Sequence, residues 1–212
     1  MNPGRNEEAG MGGIRFTGSV ALAALLVICA GVVPARSMTM APQNVAGLAS
    51  AAQDIVVGTV SKVTEGRQGG LAYTQVTIDV SDTLLGTPAR TITFKQIGGL
   101  APQAPVSGRR FIGRIEGMPR YAAGENVILF LGRTSSLGFR SPIGLQQGKF
   151  TVLAGNALNE AGNLGLFKGV TTKGASLTAT QQAMLATRQG GVHAAAFIDF
   201  VRQGVQKHWW SR

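Results

Sequence analysis

DIVVGTVSKV, residues 54–63, is the most strand-like stretch of this chain, and it carries a glycine, Gly58, at its centre. Ile55, Val56 and Val57 are consecutive and apolar, which predicts a strand buried on both faces, and Val60 and Val63 continue the run. A glycine inside a strand marks a bulge, a sharp bend or a close backbone approach. In a small barrel the first strand coils to pair on both sides, so Gly58 is expected to serve bending rather than binding.

Working outward, residues 72–80 alternate: Ala72, Thr74, Val76, Ile78 and Val80 share one face, and Tyr73, Gln75, Thr77 and Asp79 the other, a half-buried strand. TITFKQI (91–97) places Ile92, Phe94 and Gln96 together. The proline- and glycine-rich GGLAPQAPVSG (98–108) predicts a surface loop, and RRFIGRIEG (109–117) an irregular edge segment. Pro119 and Gly124 are expected to shape the turn before VILFL (127–131), a central strand, and GKFTVLAG with NALNEAGNLGLF reads as a hairpin. These elements predict a mainly β fold, a small antiparallel OB-like barrel of five or six strands over residues 54–168. A short helix within 38–53 precedes it. Helices over 176–208 follow, with Phe197, Phe200, Val201 and Val205 as the stripe that packs on the barrel.

The N-terminus predicts export. Val20 to Val33 is an apolar run between Arg15 and Pro34-Ala35-Arg36. A membrane-spanning helix needs roughly 20 apolar residues and a signal core roughly 7 to 15. Residues 1–37 therefore read as a signal peptide, cleaved after Ala35 or Ser37, and Met11 offers a start that removes Glu7 and Glu8 from the n-region. The expected location is periplasmic or extracellular, with the membrane met only through the signal segment before cleavage. The single cysteine, Cys29, would leave with the signal, so thiolate chemistry and disulfides are excluded from the mature chain.

From Met38 onward 17 Lys and Arg stand against 8 Asp and Glu, a net charge of +9. Arg109, Arg110, Arg114, Arg120, Arg133 and Arg140 fall within one stretch, and together they are candidate contacts for an acidic protein or an anionic polymer; dispersed, they confer only solubility.

Catalytic and metal signatures are missing. The histidines, His193 and His208, come without HExxH or a third ligand, GxSxG is absent, and no two carboxylates form a recognised pair. Gly69–Gly70 and Gly98–Gly99 lack the lysine or the spacing of a phosphate loop. No cofactor and no metal are implied. HWWSR, at the C-terminus, reads either as an interfacial anchor or as a cap on the core.

Two phrases go beyond general pattern: GMPRYAAGENVILFL (117–131) and GLQQGKFTV (144–152). With DIVVGTVSKV and YTQVTIDVSDTLLG they resemble a family of uncharacterised exported bacterial proteins over roughly residues 50–155. The element order also resembles the netrin-like OB barrel of tissue inhibitors of metalloproteinases. That family's zinc-chelating N-terminal cysteine and its disulfides have no counterpart here, so the resemblance implies architecture and carries over no inhibitor residue.

Three functional readings follow. The first is a non-enzymatic exported domain that binds an exported or envelope protein, as an inhibitor or accessory of an enzyme. The second is a binder of polysaccharide or nucleic acid through a basic face. The third is a hydrolase whose residues are brought together only by folding. Oligomeric state is not legible.

Overall fold

The computed structural model describes residues 41–99 and 115–210. Within them lie helix α1 (Val45–Ala51), strands β1 (Asp54–Gln68), β2 (Leu71–Leu85), β3 (Thr91–Ile97), β4 (Asn126–Leu131), β5 (Lys149–Leu153) and β6 (Asn156–Asn159), helix α2 (Ala179–Leu185), strand β7 (Val192–His193) and helix α3 (Ala194–Gln206). The expected signal peptide, residues 1–37 with the alternative start Met11, lies outside the described residues. So do Arg109, Arg110 and Arg114, and most of the loop and edge segment expected over 98–117.

The fold is mainly β. Its strands form one antiparallel sheet in the order β3-β2-β1-β4-β5-β6-β7, within which β4-β1-β2-β3 is the spatial order of a Greek key. Two features differ from expectation. The sheet has seven strands rather than five or six, and it ends at β3 and β7 instead of closing into a barrel. The seventh strand comes from residues that the helical spacing had absorbed: Val192 and His193 pair with Ala157 and Asn156, and α3 begins only at Ala194. His193 accepts the Ala196 N–H through Nδ1 at 3.4 Å and so caps that helix.

Both faces of the central strands are covered, which is why their apolar residues run without a break. Ile55, Ile128, Phe130 and Phe150 face the helices, packing with Leu48 of α1, Met184 of α2 and Phe197, Phe200 and Val201 of α3. Val56, Val60, Val76, Ile78, Phe94, Val127, Leu129 and Leu131 face the other side, where the sheet curls enough for β3 and β4 side chains to share one core with Tyr121. Backbone and side-chain bonds hold the curl. The Arg140 N–H donates to the Lys95 carbonyl at 2.8 Å, and Gln96 Nε2 to the Pro119 carbonyl at 3.0 Å, tying the free edge of β3 to the segments on either side of β4.

Gly58 sits at the middle of three shifts in the β1–β2 register, which fall between Ile55 and Val56, between Val57 and Gly58, and between Val60 and Lys62. A Cβ at Gly58 would run into the Asp79 carbonyl oxygen and Ile78 Cγ2. The missing side chain lets β2 approach as the strand bends.

The C-terminal aromatics close the helical core. Trp209 is buried with its ring 5.4 Å from that of Phe200, Phe150 and Phe197 meet at 4.9 Å, and the Trp210 ring covers Gly204. No helix among the described residues is long and apolar enough to cross a membrane.

Candidate functional site

The turn from Pro119 to Gly124 leads into β4 and places GMPRY and GEN on the curled side of the sheet. Gly124 adopts φ +86°, a conformation that glycine takes without strain, and its N–H donates to the Val60 carbonyl at 2.8 Å. That bond sets Glu125 beside β5. There the two quoted phrases meet: Lys149 of GLQQGKF extends Nζ to Glu125 Oε1 of GEN at 2.5 Å, and Thr151 donates to the same oxygen at 2.5 Å. The Ala122 N–H donates to Glu125 Oε2 at 3.2 Å. Lys149 is only 3 % exposed and lies 5.1 Å from the centre of the Tyr121 ring, a cation–π arrangement.

Tyr121 packs edge-on against Phe94, with ring centres 5.8 Å apart. Its hydroxyl is buried and has no hydrogen-bond partner. Burial foremost, and then the carboxylates of Glu125 and Glu160, hold its pKa well above the ordinary phenol value. This cluster satisfies its charges internally, a pairing that buried charges require.

Next to it a cleft of about 270 Å³ opens between the end of β3 and residues 115–120, lined by Thr74, Gln96, Gly98, Ile115, Met118 and Arg120 among others. Gln96 is 4 % exposed; its Nε2 is held by Pro119, while its Oε1 is buried without a partner. Thr74 Oγ1 donates to the Gly98 carbonyl at 2.7 Å. Arg120 is exposed, and its backbone N–H donates to Glu160 Oε1 at 3.1 Å, linking the cleft to the end of β6. On the same side Leu158 stands opposite Thr151 in the β5–β6 register, and Leu153 is 77 % and Leu158 43 % exposed. Ile115, on the cleft wall, is 41 % exposed.

Of the six candidate arginines, the three that lie within the described residues do not act alike. Arg120 and Arg133 are exposed. Arg140 is half-buried: it forms an ion pair with Asp54 and donates Nε to the Gly132 carbonyl at 2.6 Å, fixing the start of β1 to the segment after β4. Pro119 is buried and orients Gln96 through its carbonyl.

Sequence reasoning did not single out Gln96, Glu125 or Lys149. A signal for Gln96 was present, since it shares parity with Ile92 and Phe94 and so lies on the apolar face of β3. The Glu125–Lys149 contact joins residues 24 positions apart and leaves no local trace.

Among the described residues no group of three His, Cys, Asp or Glu side chains could hold a metal ion. Comparison with protein-family models, with curated proteins and with solved structures found no match to this chain.

Proposed function

We propose that this chain is an exported, non-enzymatic domain that binds a protein partner through the surface around Arg120, as an inhibitor or accessory of an exported enzyme. The observation that carries this reading is that exposed Arg120 lines the cleft with exposed Ile115, and that Glu160, which accepts the Arg120 backbone N–H, ends a β5–β6 hairpin bearing exposed Leu153 and Leu158. Arginine is enriched at interface hot spots, and exposed apolar side chains on the same side are what a protein partner would cover. The Greek-key order and the curl over Val76, Phe94 and Leu129 support an OB-type barrel opened along β3, with β6 and β7 added. The apolar run at 20–33 supports export, and GMPRY–GEN with GLQQGKF supports membership of a family of exported proteins.

The test is capture from an envelope extract with the exported form, followed by mass spectrometry. Wild type should retain a saturable protein partner that Leu153→Ser/Leu158→Ser releases without a change in melting temperature. Retention unaffected by both substitutions, or binding that instead collapses steeply with salt and returns nucleic acid or polysaccharide, refutes the protein-partner reading.

A further inference from the structure

Strand β3 is an edge of the sheet, and its ladder with β2 fixes which way its backbone points. At the two ends the Val80 N–H donates to the Arg90 carbonyl at 2.8 Å and the Gly98 N–H to the Ala72 carbonyl at 2.9 Å. Alternate residues of an antiparallel ladder turn to the partner strand, so Ile92, Phe94 and Gln96 direct their backbone groups to β2, and Thr91, Thr93 and Lys95 direct theirs outward. The Arg140 N–H agrees with this direction, since it reaches the Lys95 carbonyl from the outer side. No other hydrogen bond to that outer side is made among the described residues. The N–H and C=O of Thr91 and Thr93 and the N–H of Lys95 therefore lack a protein partner, and both threonines are exposed.

We infer that this edge takes up an extended segment of a protein partner as an added strand, paired through the outward backbone groups of Thr91 to Lys95. The alternation of β3 sets what that segment carries. On the outer face its side chains fall beside Thr91 and Thr93, where a hydroxyl extends the row of Thr77 and Thr93, whose oxygens lie 3.1 Å apart. On the inner face an apolar side chain covers Ile92, which is half-buried at the rim of the core. Arg90 and Lys95 bracket the exposed stretch, so acidic residues at the ends of the segment complement it. A second copy of a chain with net charge +10 brings like charge to the same edge. The inference rests on the partner being a protein. It places a second contact on the strand whose far end, at Gln96 and Ile97, lines the cleft with Arg120.

The experiment is an NMR titration of the exported form, labelled with nitrogen-15, with a peptide of alternating threonine and valine that has a glutamate at each end. The peptide should shift the backbone amides of Thr91, Thr93 and Lys95 and slow their exchange with solvent by at least about tenfold at saturation, the effect of about one hydrogen bond each. The same peptide methylated at every backbone nitrogen keeps its side chains and charge, and it should bind at least about tenfold more weakly. Thr93→Pro removes an N–H that takes no part in the β2 ladder, at a position where an edge strand tolerates proline, and should weaken the first peptide by a similar factor. Thr93→Val keeps the N–H and should not. The two-peptide comparison on wild type stands even if Thr93→Pro does not fold. No shift on β3, equal binding of the two peptides, or equal binding of a peptide of glutamate alone overturns the inference. Self-association of the wild type in sedimentation equilibrium that Thr93→Pro abolishes assigns the edge to a second copy and overturns the partner assignment. Failure here is separable from failure of the interface: capture lost with the leucine substitutions but insensitive to Thr93→Pro leaves the interface reading standing and removes the edge of β3 from it.

Discussion

Replacing Glu125 by Gln tests whether the two phrases that meet at Lys149 hold the fold together. The substitution conserves shape and removes one charge, leaving the Lys149 ammonium, 3 % exposed, with only neutral neighbours: the new amide oxygen, Thr151 and the Tyr121 ring. Breaking a buried pair in this way costs about 3–5 kcal/mol, because the uncompensated charge stays out of water. Lys149→Met should cost less, about 2 kcal/mol, since Glu125 is more exposed and keeps the Thr151 hydroxyl and the Ala122 N–H. The double variant has no charge left to strand, so it should recover much of the loss, with a coupling of about 2 kcal/mol or more between the sites. Urea unfolding followed by fluorescence reads this directly, because Trp209 and Trp210 lie in the helical core. With a slope of about 2 kcal/mol per molar urea, Glu125→Gln should lower the midpoint by about 2 M. A loss under about 1 kcal/mol, or strict additivity of the two single changes, would refute the claim that this pair is buried and uncompensated when broken.

Three further outcomes follow from the packing. Gly58→Val should cost about 3 kcal/mol in urea unfolding, because its side chain meets the Asp79 backbone, which can move only with β2; an unchanged midpoint would mean that the strand does not need its bend there. Tyr121→Phe removes a buried hydroxyl without a partner and should leave stability at neutral pH unchanged or raise it by about 1 kcal/mol. Since the folded-state pKa of Tyr121 is raised, its contribution is complete below about pH 10 and is lost as pH rises through the folded value; the wild type should therefore lose more stability than Tyr121→Phe above about pH 10, and equal losses would contradict the assignment. Trp209→Ala should cost about 3–5 kcal/mol and leave association with anionic lipid vesicles unchanged, whereas lost vesicle binding with an unchanged melting temperature would make the terminal aromatics a membrane anchor.

What could be read from the chain and what could not divides along the range of the interactions. The alternation of Thr74, Val76 and Ile78, the unbroken VILFL and the stripe of Phe197, Phe200 and Val201 are periodic, and each occupies the buried position its period implies. The break at Gly58 is local too, and it coincides with a register shift. Strand β7 escaped because two residues have no period and Val192-His193 precedes an alanine-rich helical run. Closure of the sheet was inferred from the order of the strands. That order determines which strands are neighbours and says nothing of whether the last edge finds a partner; here Lys95 on that edge receives its bond from Arg140. The arginines show the same limit: linear proximity grouped Arg120, Arg133 and Arg140, whereas Asp54, 86 residues from Arg140, gives the last of these a structural ion pair.

The buried polar residues fall into two groups, those whose side chains are hydrogen-bonded and those that keep an unpaired atom. Gln147, Asn159 and Asn163 are buried and bonded throughout: Gln147 holds Gln43 N–H at 2.7 Å and the Ala41 carbonyl at 3.2 Å, Asn159 and Asn163 each accept the other's backbone N–H, and Asn163 reaches the carbonyls of Ala157 and Gly190. Such a network fixes the N-terminal segment, the end of β6 and the approach to β7 in one arrangement, the usual role of satisfied polar groups in a core. Four buried side-chain atoms among the described residues lack a partner: Gln96 Oε1 and Tyr121 Oη, on either side of Pro119, and Arg202 Nε and Trp210 Nε1, in and after α3. A core selected for stability alone would hold an apolar side chain at each position, since each unpaired group costs about 1–3 kcal/mol. Gln96 and Tyr121 come from different elements and meet at Pro119, beside the cleft and the exposed Arg120, which makes that side of the sheet the place to look for a partner before the dispersed basic charge.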